Sequence, residues 1–225
     1  MRLFGLVALL LLAATVFAGC SGDDEGNYRG SATAEAREKF DGTLLGAIPA
    51  GWKVVTGSWG TTVQLSAPSG PNVMKQTATV VDTFPVLINN GAGTFGNFEA
   101  YVKFDILNGT AAQAGGLAFR FVDKDNYYAV RYNNNEGTWN IFRWMGGQRE
   151  KFDGVAGAPS AGLNQWIELK VEAEGTHIQA WANNVKVIDY TEGNGGAPKL
   201  GKIGLWTKDD SIVSFDDFEA EPKTD

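Results

Sequence analysis

The chain has 225 residues, a formal charge of −7 and a pI near 4.8. That length suits one domain with a sizeable core, and the acidic balance argues against nucleic acid, which rewards clustered Lys and Arg. One cysteine and one histidine exclude an intramolecular disulfide, a tetracysteine zinc site and a multi-histidine metal site.

The first segment is apolar from Leu3 to Ala18 behind Arg2. It is short for a membrane span and ends in small residues, the pattern of a signal peptide. Phe17-Ala18-Gly19-Cys20 resembles the bacterial lipobox, with Phe at the usual Leu position. Residues 1–19 therefore read as a lipoprotein signal peptide, and Cys20 as the lipidated residue that anchors the chain in the bacterial cell envelope. Ser21 fits sorting to the outer membrane, with the domain either periplasmic or surface-exposed. Residues 20–39 are polar and acidic and read as a flexible tether. Asp23, Asp24 and Glu25 read as solvated linker, with a surface-export tag as the alternative.

The globular part reads as residues 40–222, with a tail at 223–225. Short alternating runs follow one another between turn residues, a dozen or more strands. They fall at Trp52–Thr56, Ser58–Thr61, Val63–Ala67, Asn72–Val80, Pro85–Asn89 and Phe98–Leu107. Gly115–Trp144 then holds three consecutive strands joined by DKDN and NNNEG turns. Lys151–Val155, Gln165–Glu174, His177–Ala182, Val185–Tyr190, Lys202–Thr207 and Ile212–Ala220 complete the set. Only Ala34–Phe40 suggests a brief helix. No fixed repeat is present, so the expected fold is all-β, a two-sheet antiparallel jelly-roll sandwich.

Period two assigns faces in the central meander. If Leu117, Phe119, Tyr128, Val130, Trp139 and Ile141 point inward, the opposite face presents Arg120, Arg131, Asn140, Phe142 and Trp144. Trp206 alternates with Leu205 and joins that face, and Lys208 shares its parity. Flat rings beside planar polar groups suit a carbohydrate, and the arginines also suit a carboxylate, so acidic glycans stay open.

The run GGLAFRF…DKDNYYAVRYN…GTWNIFRWMGG…LNQWIELKVEAEGTHIQAWANNVKVIDY…GKIGLWT…VSFDDFEAE resembles concanavalin A-like (laminin-G-like) jelly-roll domains, over about Phe40 to Glu221. That group includes carbohydrate-binding modules, lectin-like domains, family-sixteen glycoside hydrolases and 3-keto-disaccharide hydrolases. The resemblance implies that the face just described is the concave, ligand-binding one. It also implies a structural Ca²⁺ held by Asp216 or Asp217 on the last strand together with Asp41 near the N-terminal loop. Asp123 and Asp125 read instead as a plain hairpin turn.

Little in the chain points to catalysis. A retaining glycosidase needs two carboxylates about 5 Å apart, and the nearest spacing, Asp217-Glu219-Glu221, sits at the end of the last strand. The 3-keto-disaccharide hydrolases carry a histidine-glycine pair where this chain has Lys208-Asp209-Asp210. His177 reads as a surface residue without a triad around it. The expected function is a lipid-anchored, non-catalytic, lectin-like domain that binds a glycan or another cell-envelope ligand. The alternatives are a diverged glycoside-active enzyme and a structural or adhesion module.

Overall fold

A computed structural model describes Tyr28 and residues 30–33, 35–156, 159–193 and 197–223. Cys20 and the expected signal peptide lie outside the described residues. Fifteen strands follow in chain order: β1 Ala36–Glu38, β2 Trp52–Thr56, β3 Trp59–Val63, β4 Asn72–Gln76, β5 Val86–Asn89, β6 Phe98–Asn108, β7 Ala114–Asp123, β8 Asn126–Asn133, β9 Thr138–Met145, β10 Gln148–Ala156, β11 Trp166–Glu174, β12 His177–Ala182, β13 Val185–Thr191, β14 Lys202–Thr207 and β15 Ile212–Pro222. They form two antiparallel sheets. The eight-stranded sheet runs β13-β12-β11-β6-β15-β4-β3, with β1 also paired to β15, and the seven-stranded sheet runs β10-β9-β8-β7-β14-β5-β2.

The alternation read from the sequence produces the core. Phe98, Ala100, Val102, Phe104 and Ile106 of β6 face Leu117 and Phe119 of β7, Tyr128 and Val130 of β8, and Trp139 and Ile141 of β9. Each fully buried aliphatic or aromatic side chain of this kind contributes roughly 1.5–3 kcal/mol. Aromatic edges interlock across the gap, as where Phe104 and Trp139 meet at 6.2 Å. Between the sheets Tyr128 and Arg143 both donate to the Glu192 carboxylate, tying the end of β13 to the central meander.

Three expectations near the N-terminal half need correction. Residues 36–38 are not helical: they form β1, antiparallel to β15 with Ala36 opposite Ala220. The free edge of β15 offers backbone partners that a three-residue helix cannot supply. The tether also ends earlier than residue 39, because Tyr28 and residues 30–33 already dock. The Asn97 N–H donates to the Tyr28 carbonyl (3.1 Å) and the Ala32 N–H to that of Thr94 (2.9 Å). Residues 64–67 turn rather than extend, since the Ala67 N–H closes on the Gln64 carbonyl at 2.9 Å.

Candidate functional site

In the second sheet, β7, β8, β9 and β14 carry outward-facing side chains that gather in one cluster. Arg131 of β8 stands directly opposite Asn140 of β9 on one side and Gly116 of β7 on the other, and Gly116 stands opposite Trp206 of β14. One step along, Phe142, Ala129 and Ala118 align, and beyond them Trp144 and Tyr127. The small residues of β7 and β8 leave room for the rings to lie over the sheet. Trp144 stacks on Tyr127 at 4.4 Å with 6° between the planes, and Trp206 lies 5.9 Å from Trp144. A side chain at Gly116 would strike the Val130 carbonyl, at 2.0 Å from its Cβ.

The structure thus brings Arg131, Asn140, Phe142, Trp144 and Trp206 together as expected, but not Arg120. Where β7 uses Arg120, Phe121 and Val122, β8 uses only Tyr127. Arg120 sits in this bulge at φ +46°, which breaks the alternation. Its guanidinium turns away from the outer face, donates to the carbonyls of Gly175 (2.7 Å) and Gly96 (3.3 Å), and lies 4.9 Å over the Tyr28 ring. Burial draws its pKa down to about 10, so it stays charged at neutral pH. Arg120 is a structural residue that clips the two sheets and the N-terminal segment together.

A second difference concerns access. Trp144 and Trp206 are not an open platform; they are 3% and 1% exposed. Phe84, from the loop before β5, stacks on Trp206 (5.9 Å, 18°) and meets Trp144 edge-on at 5.0 Å. Arg149 of β10 stands opposite Trp144 and holds its guanidinium 5.2 Å from both the Phe84 and Phe142 rings. Phe84 and Arg149 therefore form the upper layer of this face. Burial pushes the Tyr127 phenol well above its usual range, so it stays protonated beneath them.

The polar end of the face is built on the short β8–β9 turn. Arg131 Nη2 donates to Glu136 at 2.8 Å, and Asn133 Nδ2 donates to the other Glu136 oxygen at 2.8 Å. Burial works against ionisation of Glu136, but the Arg131 guanidinium holds it below the usual carboxylate range. Arg131 Nε and Nη1 and Asn140 Nδ2 are buried and have no hydrogen-bond acceptor. Unmet buried donors are costly and rare, so the gathering of three on one cross-strand pair calls for a partner. Glu136 was not singled out from the sequence. The signal is the five-residue spacing from Arg131 across a tight turn, which brings the two side chains back over one face. Lys208 follows the Trp206 strand and pairs with Asp209 at 3.3 Å.

The expected calcium ligands fall on the other sheet and do not all converge. Asp216 is fully buried and accepts from the Ser69 hydroxyl (2.8 Å), the Ser69 N–H (3.0 Å) and the Asp217 N–H (2.7 Å). Asp41 accepts from the Asn72 N–H at 3.2 Å, on the same loop. Asp217, at φ +48° in a bulge of β15, instead takes Lys103 at 2.9 Å. Its neighbours Glu219 and Glu221 gather with Glu35 on the outer face of the eight-stranded sheet, so the Asp217-Glu219-Glu221 spacing does not reach the aromatic face. His177 is partly exposed and lies 2.7 Å from Asp189. Asp123 closes the β7–β8 turn by accepting from the Asp125 N–H at 2.8 Å.

This chain matches the family model of the 3-keto-alpha-glucoside-1,2-lyase-like domain over residues 35–221. It belongs to that family. No curated protein matches the chain in sequence. Among solved structures, the lyase-like domain is similar to the carbohydrate-binding module CBM66 from Bacillus subtilis, with a TM-score of 0.61 and 19% identity over 76% of this chain and 96% of that one. It is also similar to the GH43 protein BlXynB from Bacillus licheniformis, with a TM-score of 0.56 and 12% identity over 83% of this chain and 39% of that one. The Crh5 transglycosylase gives a TM-score of 0.56 and 12% identity over 88% of each chain. At these identities the likeness establishes the jelly-roll fold of the lyase-like domain, and function must be argued from the face itself.

Proposed function

We propose that this domain binds a carbohydrate on the outer face of its seven-stranded sheet without cleaving it, while a lipid on Cys20 holds it at the bacterial cell envelope. The observation that carries this reading is the cross-strand pair Arg131 and Asn140, whose unmet N–H donors adjoin the ring layer of Phe142, Trp144, Trp206 and Phe84. Sugars need such planar donors beside apolar ring faces. The likeness to the carbohydrate-binding module CBM66 supports it. Calorimetric titration of the mature chain with a panel of oligosaccharides tests the reading. Saturable binding that Phe84→Ala weakens supports it, and no binding by any glycan overturns it.

Family membership favours a second reading, as an enzyme acting on 3-keto-glucosides. Elimination across C1 and C2 needs a base at the C2 proton. The acid nearest the donors, Glu136, is held ionised by Arg131 and is a weak base for that task. Release of the leaving group from an aryl 3-keto-glucoside, at a rate that Glu136→Gln abolishes, would establish the enzyme and displace the binding-only reading.

A structural Ca²⁺ is proposed in a reduced form, held by Asp216 of β15 and Asp41 beside the segment at residues 67–72. Burial pushes the Asp216 carboxyl up, and no ion pair with Lys or Arg among the described residues neutralises it. Oxygen donors of this kind suit a hard cation. Chelator should lower the melting temperature of the purified domain, with recovery on adding Ca²⁺, and Asp216→Asn should remove the response. An unchanged melting curve would dismiss the ion.

A further inference from the structure

The chain is acidic, yet the outer face of the seven-stranded sheet is rimmed by cations. Lys53 of β2 stands opposite Ile88, and Lys151 of β10 stands opposite Phe142. Arg149 stands opposite Trp144. Ile88, Phe142 and Trp144 all belong to the apolar cluster on that outer face, so period two puts the three cations on it as well. All three are exposed. Arg149 is engaged with the Phe84 and Phe142 rings, and neither lysine has an ion-pair partner among the described residues.

One step along the strands from the Lys53 and Lys151 row lies the polar end, where every unmet group is an N–H. Arg131 Nε, Arg131 Nη1 and Asn140 Nδ2 have no acceptor. A hydroxyl brings its own proton to such a place, whereas a carboxylate brings acceptors alone and matches a guanidinium fork in two bonds. The protein already places one carboxylate there. Glu136 reaches Arg131 Nη2 from a short turn, with 45% of its side chain exposed, so a competing anion can approach the same donors from solvent.

We propose that the ligand is an acidic glycan, a chain containing uronic acid residues. One sugar carboxylate exchanges with Glu136 on Arg131 and Asn133, beside Asn140, and neighbouring carboxylates lie along Arg149 and Lys151. This rests on the sugar-binding reading above and narrows it to a substrate class. Rim charges of this type govern association and its salt dependence more than the final contacts do.

The test titrates the mature chain with oligogalacturonate, oligomannuronate, the methyl ester of oligogalacturonate and a neutral gluco-oligosaccharide. An acidic oligomer should bind, and esterification should weaken binding by about tenfold or more, the equivalent of one charge-assisted contact. Raising the salt concentration should weaken the acid form and leave any ester binding unchanged. The double variant Arg149→Ala, Lys151→Ala should lose affinity for the acid form several-fold, while Glu136→Gln should gain it. Equal binding of acid and ester, or binding of the neutral oligosaccharide alone, overturns the inference and leaves the sugar-binding reading standing. Binding of none of the four overturns this inference, and the reading beneath it falls only if the wider oligosaccharide panel is also silent.

Discussion

Arg120→Met should destabilise the domain by about 2–4 kcal/mol, because it removes two charge-assisted hydrogen bonds of roughly 1.5–3 kcal/mol each and regains part of the cost of burying a cation. The carbonyls of Gly96 and Gly175 lose the Arg120 donor. Tyr28 loses one of the two cations over its ring, keeping Lys199, so the N-terminal segment should loosen in part as well. In a domain of this size the change corresponds to a fall of about 5–15 °C in melting temperature, read by calorimetry. Ligand affinity measured below the transition should stay within about twofold of the parent chain. A variant that melts like the parent would show that the bulge, and not the side chain, holds this corner together.

The same substitution at Arg131 should do the reverse. Arg131→Met should change stability by no more than about 1 kcal/mol, since it ends the burial of a cation whose single ion pair is with a half-exposed acid. Methionine is flexible enough to fill the space beside Phe142. Glycan affinity should fall by about 10–100-fold, the range expected from losing one or two hydrogen bonds to a charged donor. The two arginines lie eleven positions apart on adjacent strands and have the same parity in a simple alternating reading. Only the bulge separates them, and the pair of variants measures what it does.

Much of the architecture was legible because alternation is a local signal. Leu117, Phe119, Tyr128, Val130, Trp139 and Ile141 point inward as their spacing demands, and His177–Ala182 and Lys202–Thr207 form strands with the expected ends. Arg120 was misplaced because nothing in GGLAFRFVDKDN marks the bulge. A glycine at the positive-φ position would have been the usual flag, and an arginine holds it here. The β1 strand was missed because its stability comes from β15, some 180 residues later in the chain. The covering of Trp144 and Trp206 was illegible for the same reason: Phe84 reaches them from a loop that the sequence leaves unassigned. In the candidate site, alternation placed Arg131, Asn140, Phe142 and Trp144 on one face, but it carries no information on which donors remain without acceptors.

The most direct test of the outer face as the ligand site is a ¹⁵N–¹H NMR titration of the mature chain with the tightest-binding oligosaccharide of the panel. Shift changes should centre on Arg131, Asn140, Phe142, Trp144 and the Trp206 indole N–H, and extend to Phe84 and Arg149. Changes centred on Tyr101, Lys103 and Asp217, across the outer face of the eight-stranded sheet, would contradict the account and move the site to the other side of the sandwich.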